Sequence, residues 1–313
     1  MIKFLMRLWL WSENIVIIFL ISLTFYITIP IQTTTTILVP KGSIENIISQ
    51  LTKKGLALSP IDKYILKFLG KPKHGWIDIG KKEINRIDFL YKITNPRGAI
   101  DKITLIPGET MEIFLTDLAL QLNLNRDKLE RYYKSFSNYP EAGIYPDTYH
   151  LPKGIREKNL IRFLVKQSEK KFAKISEEIY EEYNQTKWLK ILIIASIIQK
   201  EAANNKEMPI VASVIYNRLK KKMRLQMDGT LNYGKYSHIK VTPKRIREDK
   251  TSFNTYKRRG LPDSPIGAVS LTAIKSAINP AKTNYLYFML NAHGRHNFTD
   301  TFKKHRRNVR GGI

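Results

Sequence analysis

In residues 191–219, ILIIASIIQKEAANNKEMPIVASVIYNRL, an apolar run ends in Gln199, Lys200, Glu201, Asn204, Asn205 and Glu207. Residues three and four apart share a helix face, which sets Glu201 in line with Ile194, Ile197 and Ile198, while Gln199 turns away with Ser196. A carboxyl at the edge of an apolar face is desolvated, so its pKa rises. A raised pKa keeps it protonated near neutral pH, the state a general acid requires. The competing reading is a partly exposed glutamate paired with Lys200 or Lys206, because ion-pair networks also perturb pKa values.

Cleaving a glycosidic bond with water takes two carboxylates. The candidates for a partner are Asp228 in QMDGT, Asp147 in YPDTY, Glu141 and Asp263. Asp228 precedes Gly229 and fits a turn former equally well. Other chemistries have less support. The chain has no cysteine, which excludes thiol nucleophiles, disulfides and thiolate zinc sites. No two-histidine metal helix, Gly-x-Ser-x-Gly elbow or phosphate-binding lysine loop occurs. His293, His296 and His305 cluster late but lack acidic neighbours at ligand spacing, so neither a metal nor a cofactor is expected.

The elements that must position these groups fall into three parts. From Glu13 to Lys41 no charged residue intervenes, and NIVIIFLISLTFYITIPI gives about 18 largely apolar residues, enough to span a bilayer as a helix. Lys3 and Arg7 precede it and no basic flank follows, so residues 1–13 are expected in the cytoplasm, 14–31 across the membrane and the rest outside. A cleavable signal peptide competes, but Thr33 to Thr36 offer no small-x-small site, which favours an uncleaved single-pass anchor.

Next, ILVPKGSIENIISQL and TLIPGETMEIFLTDL match at an offset of 67 residues, aligning Pro40 with Pro107, Ser43 with Thr110, Glu45 with Glu112 and Leu51 with Leu118. Each reads as a β-branched strand, a Pro/Gly turn and a helix. Between them, GWIDIGKKEINRIDFLYKITNPRGA reads as a further strand and helix, so 32–126 is expected as a small α/β module. Residues 127–313 follow as a mixed α+β domain. Helical patterns run over 127–135, 158–183, 187–203, from Pro209 and over 271–278, with a strand at 285–290.

Lys and Arg number 53 against 27 Asp and Glu, a net charge of +26. That balance suits polyanionic partners, whether nucleic acid, anionic lipid or an acidic wall polymer, or else a solvated lysine-rich surface. The charge forms no single stripe, and a chain held outside a membrane meets the wall, so no nucleic acid is expected.

With these segments in view, the sequence resembles the membrane-anchored endolytic murein transglycosylases of the YceG/MltG type over nearly its whole length. YPDTY, preceded by Glu141, is similar to the family's E-G-x-x-x-P-D-T-Y, and ASIIQKEA to A-S-I-[IV]-E-K-E. VASVIYNRLKKKMRLQMDGTLNYG resembles V-A-x-V-x-x-N-R-L-x-x-x-M-x-L-Q-x-D-P-T-x-x-Y-G, and FNTYKRRGLPDSPI resembles Y-N-T-Y-x-x-x-G-L-P-P-G-P-I. NPAKTNYLYF and HGRHNFTDTFKKH are similar to the closing motifs. The departures are Gln199 for the first glutamate of E-K-E, Gly229 for the D-P proline, Ala142 for a glycine, Asp263-Ser264 for Pro-Gly and Val269-Ser270 for a further Pro-Gly.

The resemblance implies an α+β fold with an N-terminal transmembrane helix, a small LysM-like α/β module and a mixed α+β catalytic domain. It places the catalytic acid on Glu201, in agreement with the helical-face argument. It implies sugar-binding or orienting roles for Gln226, Asp228, Thr230, Asn254, Tyr256, Glu141 and Gln199, although core packing suits Tyr256 equally. The implied reaction cuts MurNAc–GlcNAc bonds of nascent strands, leaves 1,6-anhydro ends and ends strand elongation. Expected partners are peptidoglycan strands, the cell inner membrane and, as candidates, peptidoglycan synthases, with the catalytic domain periplasmic. A catalytically weak wall-binding scaffold is the alternative that Gln199 keeps open.

Overall fold

The computed structural model describes residues 2–180 and 182–311, with side chains described from residue 11 to 310 apart from 181. The chain divides into two compact units, Met1–Asp101 with His150–Gly154, and Lys102–Tyr149 with Ile155–Ile313.

The first unit opens with helix α1, Ile2–Thr28, whose Trp11–Thr28 segment is long and apolar enough to cross a membrane and is not buried against the protein. The helix stops three residues short of the expected 31. Pro30 disfavours helical backbone at Ile29, and strand β1, Pro30–Gln32, instead pairs antiparallel with β4, Glu83–Asn85, with Ile31 wholly buried. Strand β2, Thr36–Val39, pairs antiparallel with β3, Gly75–Asp78. Helices α2, Ile44–Lys53, α3, Asp62–Leu69, and α4, Arg86–Thr94, complete a core that includes Ile47, Leu51, Leu66, Ile77, Phe89 and Leu90. The stretch 75–99 thus holds two strands and a helix, one strand more than its pattern suggests.

Strands β5, Ile100–Thr104, and β6, Thr148–Pro152, pair with each other and carry the chain from one unit to the other and back. The second copy of the repeat continues into α5, Met111–Leu122. Its N-cap Thr110 accepts from the Ile113 N–H as Ser43 accepts from Asn46, so both copies start their helix with the same cap. The units change over at 101/102, so residues 102–126, which the sequence pattern joins to the module, pack within the second unit.

The remainder of the second unit is mainly helical. Helix α6 spans Arg126–Phe136, α7 Glu157–Tyr180 and α8 Gln185–Glu201. Helix α9, Met208–Lys220, has Pro209 in its first turn, where its missing N–H has no partner to lose. Two 3-10 turns, Asp228–Leu231 and Gly234–Tyr236, lead to α10, Pro243–Glu248, and α11, Leu271–Ile278. Hairpin strands β7, Tyr287–Leu290, and β8, His296–Thr299, precede α12, Phe302–Gly311. Strand β7 starts two residues later than its pattern suggests, with the carbonyls of Tyr285 and Leu286 taken by Asn217 Nδ2 and Arg218 Nε.

Helix α8 packs against both α9 and α11. Its Leu192 to Ile198 run is buried on all sides, with Val211, Val214, Ile274 and Ala277 among its neighbours in the core. A helix buried all round needs no amphipathic stripe. Its polar end at residues 199–201 is therefore where the core opens.

Candidate active site

Glu201 is the last residue of α8, and Ala202 caps the helix with its N–H on the Ile198 carbonyl. The Glu201 side chain is partly buried, and its Oε1 accepts the Gly229 N–H at 2.6 Å. Desolvation pushes its pKa up from 4.5 to about 7, the Asp228 charge adds to the rise, and the Gly229 N–H and the Arg218 charge oppose it. A carboxyl half-ionised near neutral pH can give up a proton and take one back in the same site.

The loop bearing Gly229 is fixed from below. The hydroxyl of Thr230 donates to the Met227 carbonyl at 2.7 Å and pairs with Thr255 at 3.0 Å, and Thr255 Oγ1 takes the Met227 N–H. Asn254 Nδ2 donates to the carbonyls of Ile246 and Asp249. Thr230 and Asn254 both have 0% exposure, so they hold the loops and turn no atom toward a ligand. Asp228, by contrast, is exposed, and the Tyr256 hydroxyl donates to its Oδ1 at 2.5 Å. Burial and the neighbouring Asp228 raise the Tyr256 pKa, so the phenol keeps the proton of that bond. Gln226 is exposed beside them with a left-handed φ of 47°, a conformation uncommon outside glycine and frequent at working sites.

Gly229 is required by space as well as by its N–H. A Cβ there would lie 2.7 Å from Lys200 Cβ and 2.8 Å from Glu201 Oε1. Gly229→Ala is expected to lower stability by about 1–3 kcal/mol through this overpacking. Urea unfolding reads the effect, and a midpoint equal to wild type would mean the loop is slack. The proline of the resembled pattern would bring no N–H at this position, so the hydrogen bond to Glu201 is a feature of this chain's glycine.

Of the other expected site residues, Gln199 and Glu141 are bonded to backbone outside this group. Gln199 Oε1 accepts the Ser270 N–H at 3.2 Å, which fits its turning away from Glu201. Glu141 Oε1 accepts the Met111 N–H at 2.6 Å at the start of α5, and burial pushes its pKa up to about 8, against that N–H and the Lys200 charge. The alternative carboxylate Asp147 is tied to Lys171 at 3.0 Å. His296 is held by Glu207 at 2.7 Å, while His305 stacks on Tyr287.

Two groups escaped the sequence reading. Arg218 has 7% exposure; its Nε donates to the Leu286 carbonyl at 2.6 Å and its Nη1 to Leu225. It sends a positive charge toward Glu201 and Tyr256. Its signal was the Asn217-Arg218 pair interrupting an otherwise apolar helix. Glu109, with 8% exposure, is paired with His238 at 2.8 Å. Nearby, Lys200 donates to the Ser237 hydroxyl at 2.7 Å. Only folding brings these residues together, across more than a hundred positions.

Comparison with known proteins places this chain in a family. The family model described as "YceG-like family" matches residues 37–311. A protein of Bacillus subtilis (strain 168) named endolytic murein transglycosylase is 34% identical over 174 residues, 55% of this chain and 48% of that protein. One of the same name from Streptococcus pneumoniae (strain ATCC BAA-255 / R6) is 26% identical over 248 residues, 70% of this chain and 44% of that protein. The chain thus spans about half the length of the curated relatives it matches. The crystal structure of a yceG-like protein from Listeria monocytogenes superposes with a TM-score of 0.59 at 26% identity, covering 88% of this chain and 99% of that one. The chain belongs to the YceG-like family.

Proposed function

We propose that the chain is a lytic transglycosylase, a lyase that cuts the MurNAc–GlcNAc bonds of nascent peptidoglycan strands endolytically. The observation that carries this reading is the single carboxyl of Glu201, closed in by Gly229 and with a pKa near 7. Glu201 protonates the glycosidic oxygen as the C1–O bond breaks, releasing the GlcNAc 4-hydroxyl. As carboxylate it takes the proton of the MurNAc 6-hydroxyl while that oxygen closes onto C1 as a 1,6-anhydro ring. No water is consumed, and an intramolecular nucleophile has the advantage of proximity. One group that alternates between acid and base meets this need without a second carboxylate.

Asp228, Tyr256 and Gln226 orient the sugars from the exposed rim of the site, and Thr230 and Asn254 hold that rim in place. Glu141 and Gln199 position the start of α5 and the loop before α11. Helix α1 is the single-pass anchor in the inner membrane, with the N-terminus cytoplasmic and the catalytic unit periplasmic beside newly made strands. The part of 32–126 that packs in the first unit, up to Asp101, serves as a LysM-like wall-binding module, and cutting ends strand elongation near the synthases.

The test is mass spectrometry of products from intact peptidoglycan treated with the full chain. Internal 1,6-anhydro-MurNAc ends are expected. Reducing ends instead would indicate an ordinary hydrolase with Asp228 as second carboxylate. If nothing is cut, Gln199→Glu separates a dormant enzyme, which it would revive, from a wall-binding scaffold, which it would not.

A further inference from the structure

Helix α3 exposes an apolar stripe that no described residue of its own unit covers. Ile61, just before its first turn, is 53% exposed, Tyr64 64% and Phe68 91%. They recur at spacings of three and four, so they share one face of the helix, while Leu66 on the other side is fully buried in the core. Large aromatic side chains this exposed point to a surface that meets something apolar. No acidic residue occurs between Asp62 and Asp78, but Lys63, Lys67, Lys71 and Lys73 do. Lys63 is paired with Glu45 at 3.6 Å, whereas Lys67 reaches over the Tyr64 ring at 5.8 Å, and Lys71 and Lys73 are exposed.

The stripe's position follows from the last turns of α1. The hydroxyl of Tyr26 donates to Asp62 Oδ1 at 3.0 Å and pairs with the Ser59 hydroxyl at 2.6 Å. Arg86 closes the arrangement, with its guanidinium 2.7 Å from Asp62 Oδ2 and 4.5 Å from the centre of the Tyr26 ring. Its backbone N–H also donates to the Ile29 carbonyl at 3.1 Å. The start of α3 is therefore fastened to the end of the apolar helix. An eight-residue helix is only about 12 Å long, so every residue of the stripe stays close to that end.

We infer that the Ile61–Tyr64–Phe68 face of α3, with Lys67, Lys71 and Lys73, docks into the anionic headgroup layer of the membrane that α1 spans. Aromatic rings of mixed polarity settle at the membrane–water boundary, and lysines beside them bind anionic lipid while their stems cover apolar surface. The contact gives the module a fixed side toward the bilayer. It rests on the reading of α1 as the anchor.

The absence of cysteine permits single labelling sites. Full-length Phe68→Cys and Ile18→Cys, each carrying an environment-sensitive dye, are reconstituted in phosphatidylcholine vesicles with or without about one third phosphatidylglycerol, a leaflet charge that attracts polybasic segments. Nitroxide lipids carry the quencher at mid-chain for residue 18 and at the headgroup for residue 68. The expected result is quenching at both positions. At residue 68 it should fall about twofold or more in neutral vesicles, or when Lys67→Glu and Lys71→Glu are added, as expected for lysine–headgroup attraction. Quenching at 18 without quenching at 68 would overturn the docking and leave the anchor standing. Loss of both would remove the anchor and the docking with it. Quenching at 68 that ignores lipid charge and both substitutions would overturn the assignment to anionic headgroups. Energy transfer between labelled copies without lipid quenching would give the face to a second copy instead.

Discussion

Glu201→Gln is expected to lower turnover about 10³-fold or more, as loss of a group serving as both acid and base should, and to make the protein more stable at pH 8. The second effect follows from the same burial as the first. In the unfolded chain this carboxyl ionises around 4.5, and in the fold only at about 7. Below 4.5 both states are protonated and the group adds no pH dependence. Between 4.5 and 7 the unfolded chain loses its proton first, so stability falls as pH rises, and above 7 the full penalty is present. That interval corresponds to about 3 kcal/mol. Glutamine keeps an oxygen for the Gly229 N–H and removes the charge, so it should recover about 1–3 kcal/mol at pH 8 and nothing at pH 4. Glu141, whose pKa is also raised, is present in both proteins and cancels in the difference. The measurement is the thermal midpoint of both proteins at the two pH values, beside the rate of anhydro-ended product. Equal midpoints at pH 8 would mean that Glu201 is not held in a desolvated site, and the acid–base reading would lose its physical basis.

Sequence periodicity reveals what neighbours along the chain decide. The helix over 271–278 appears with the bounds its pattern indicates because Ser270 caps it and its apolar spacing is clean. The matched copies of strand, turn and helix share their N-caps, Ser43 and Thr110, because a hydroxyl before a helix satisfies an orphan N–H wherever it occurs. Glu201 stood out because three residues before it on one face are isoleucines. What the chain could not reveal were the partners supplied by distant loops. The N–H that Glu201 accepts belongs to Gly229, a glycine in a turn-like Asp-Gly pair whose backbone approach to Lys200 exists only in the fold. Thr230 and Asn254 are polar motif residues that sequence reading sends to the substrate, yet their atoms are taken up by nearby backbone and by Thr255. A one-dimensional pattern does not distinguish a polar side chain that faces a ligand from one that holds the loop that does.

Arg218 extends that point to the largest structural effect expected from a single change. Its donors reach the carbonyls of Leu286, Leu225 and Arg224, and its guanidinium lies 5.3 Å from the Tyr287 ring centre. Methionine would replace the stem but strand those buried acceptors, so Arg218→Met should cost about 3 kcal/mol or more. It would also remove the positive charge that holds the Glu201 pKa down, so that pKa should rise above about 7 and the alkaline limb of the rate profile should move to higher pH. Arg218→Lys divides the two roles. A lysine keeps a charge near Glu201 but lacks the planar fork that serves several carbonyls at once. It should therefore lose much of the stability and leave the alkaline limb close to wild type. Thermal midpoints and pH profiles of both variants, taken well below their unfolding temperatures, make the comparison. An unmoved limb in Arg218→Met would reduce Arg218 to a clamp on the 224–225 and 286 backbone, with Gly229 and the apolar end of α8 left to set the acidity of Glu201.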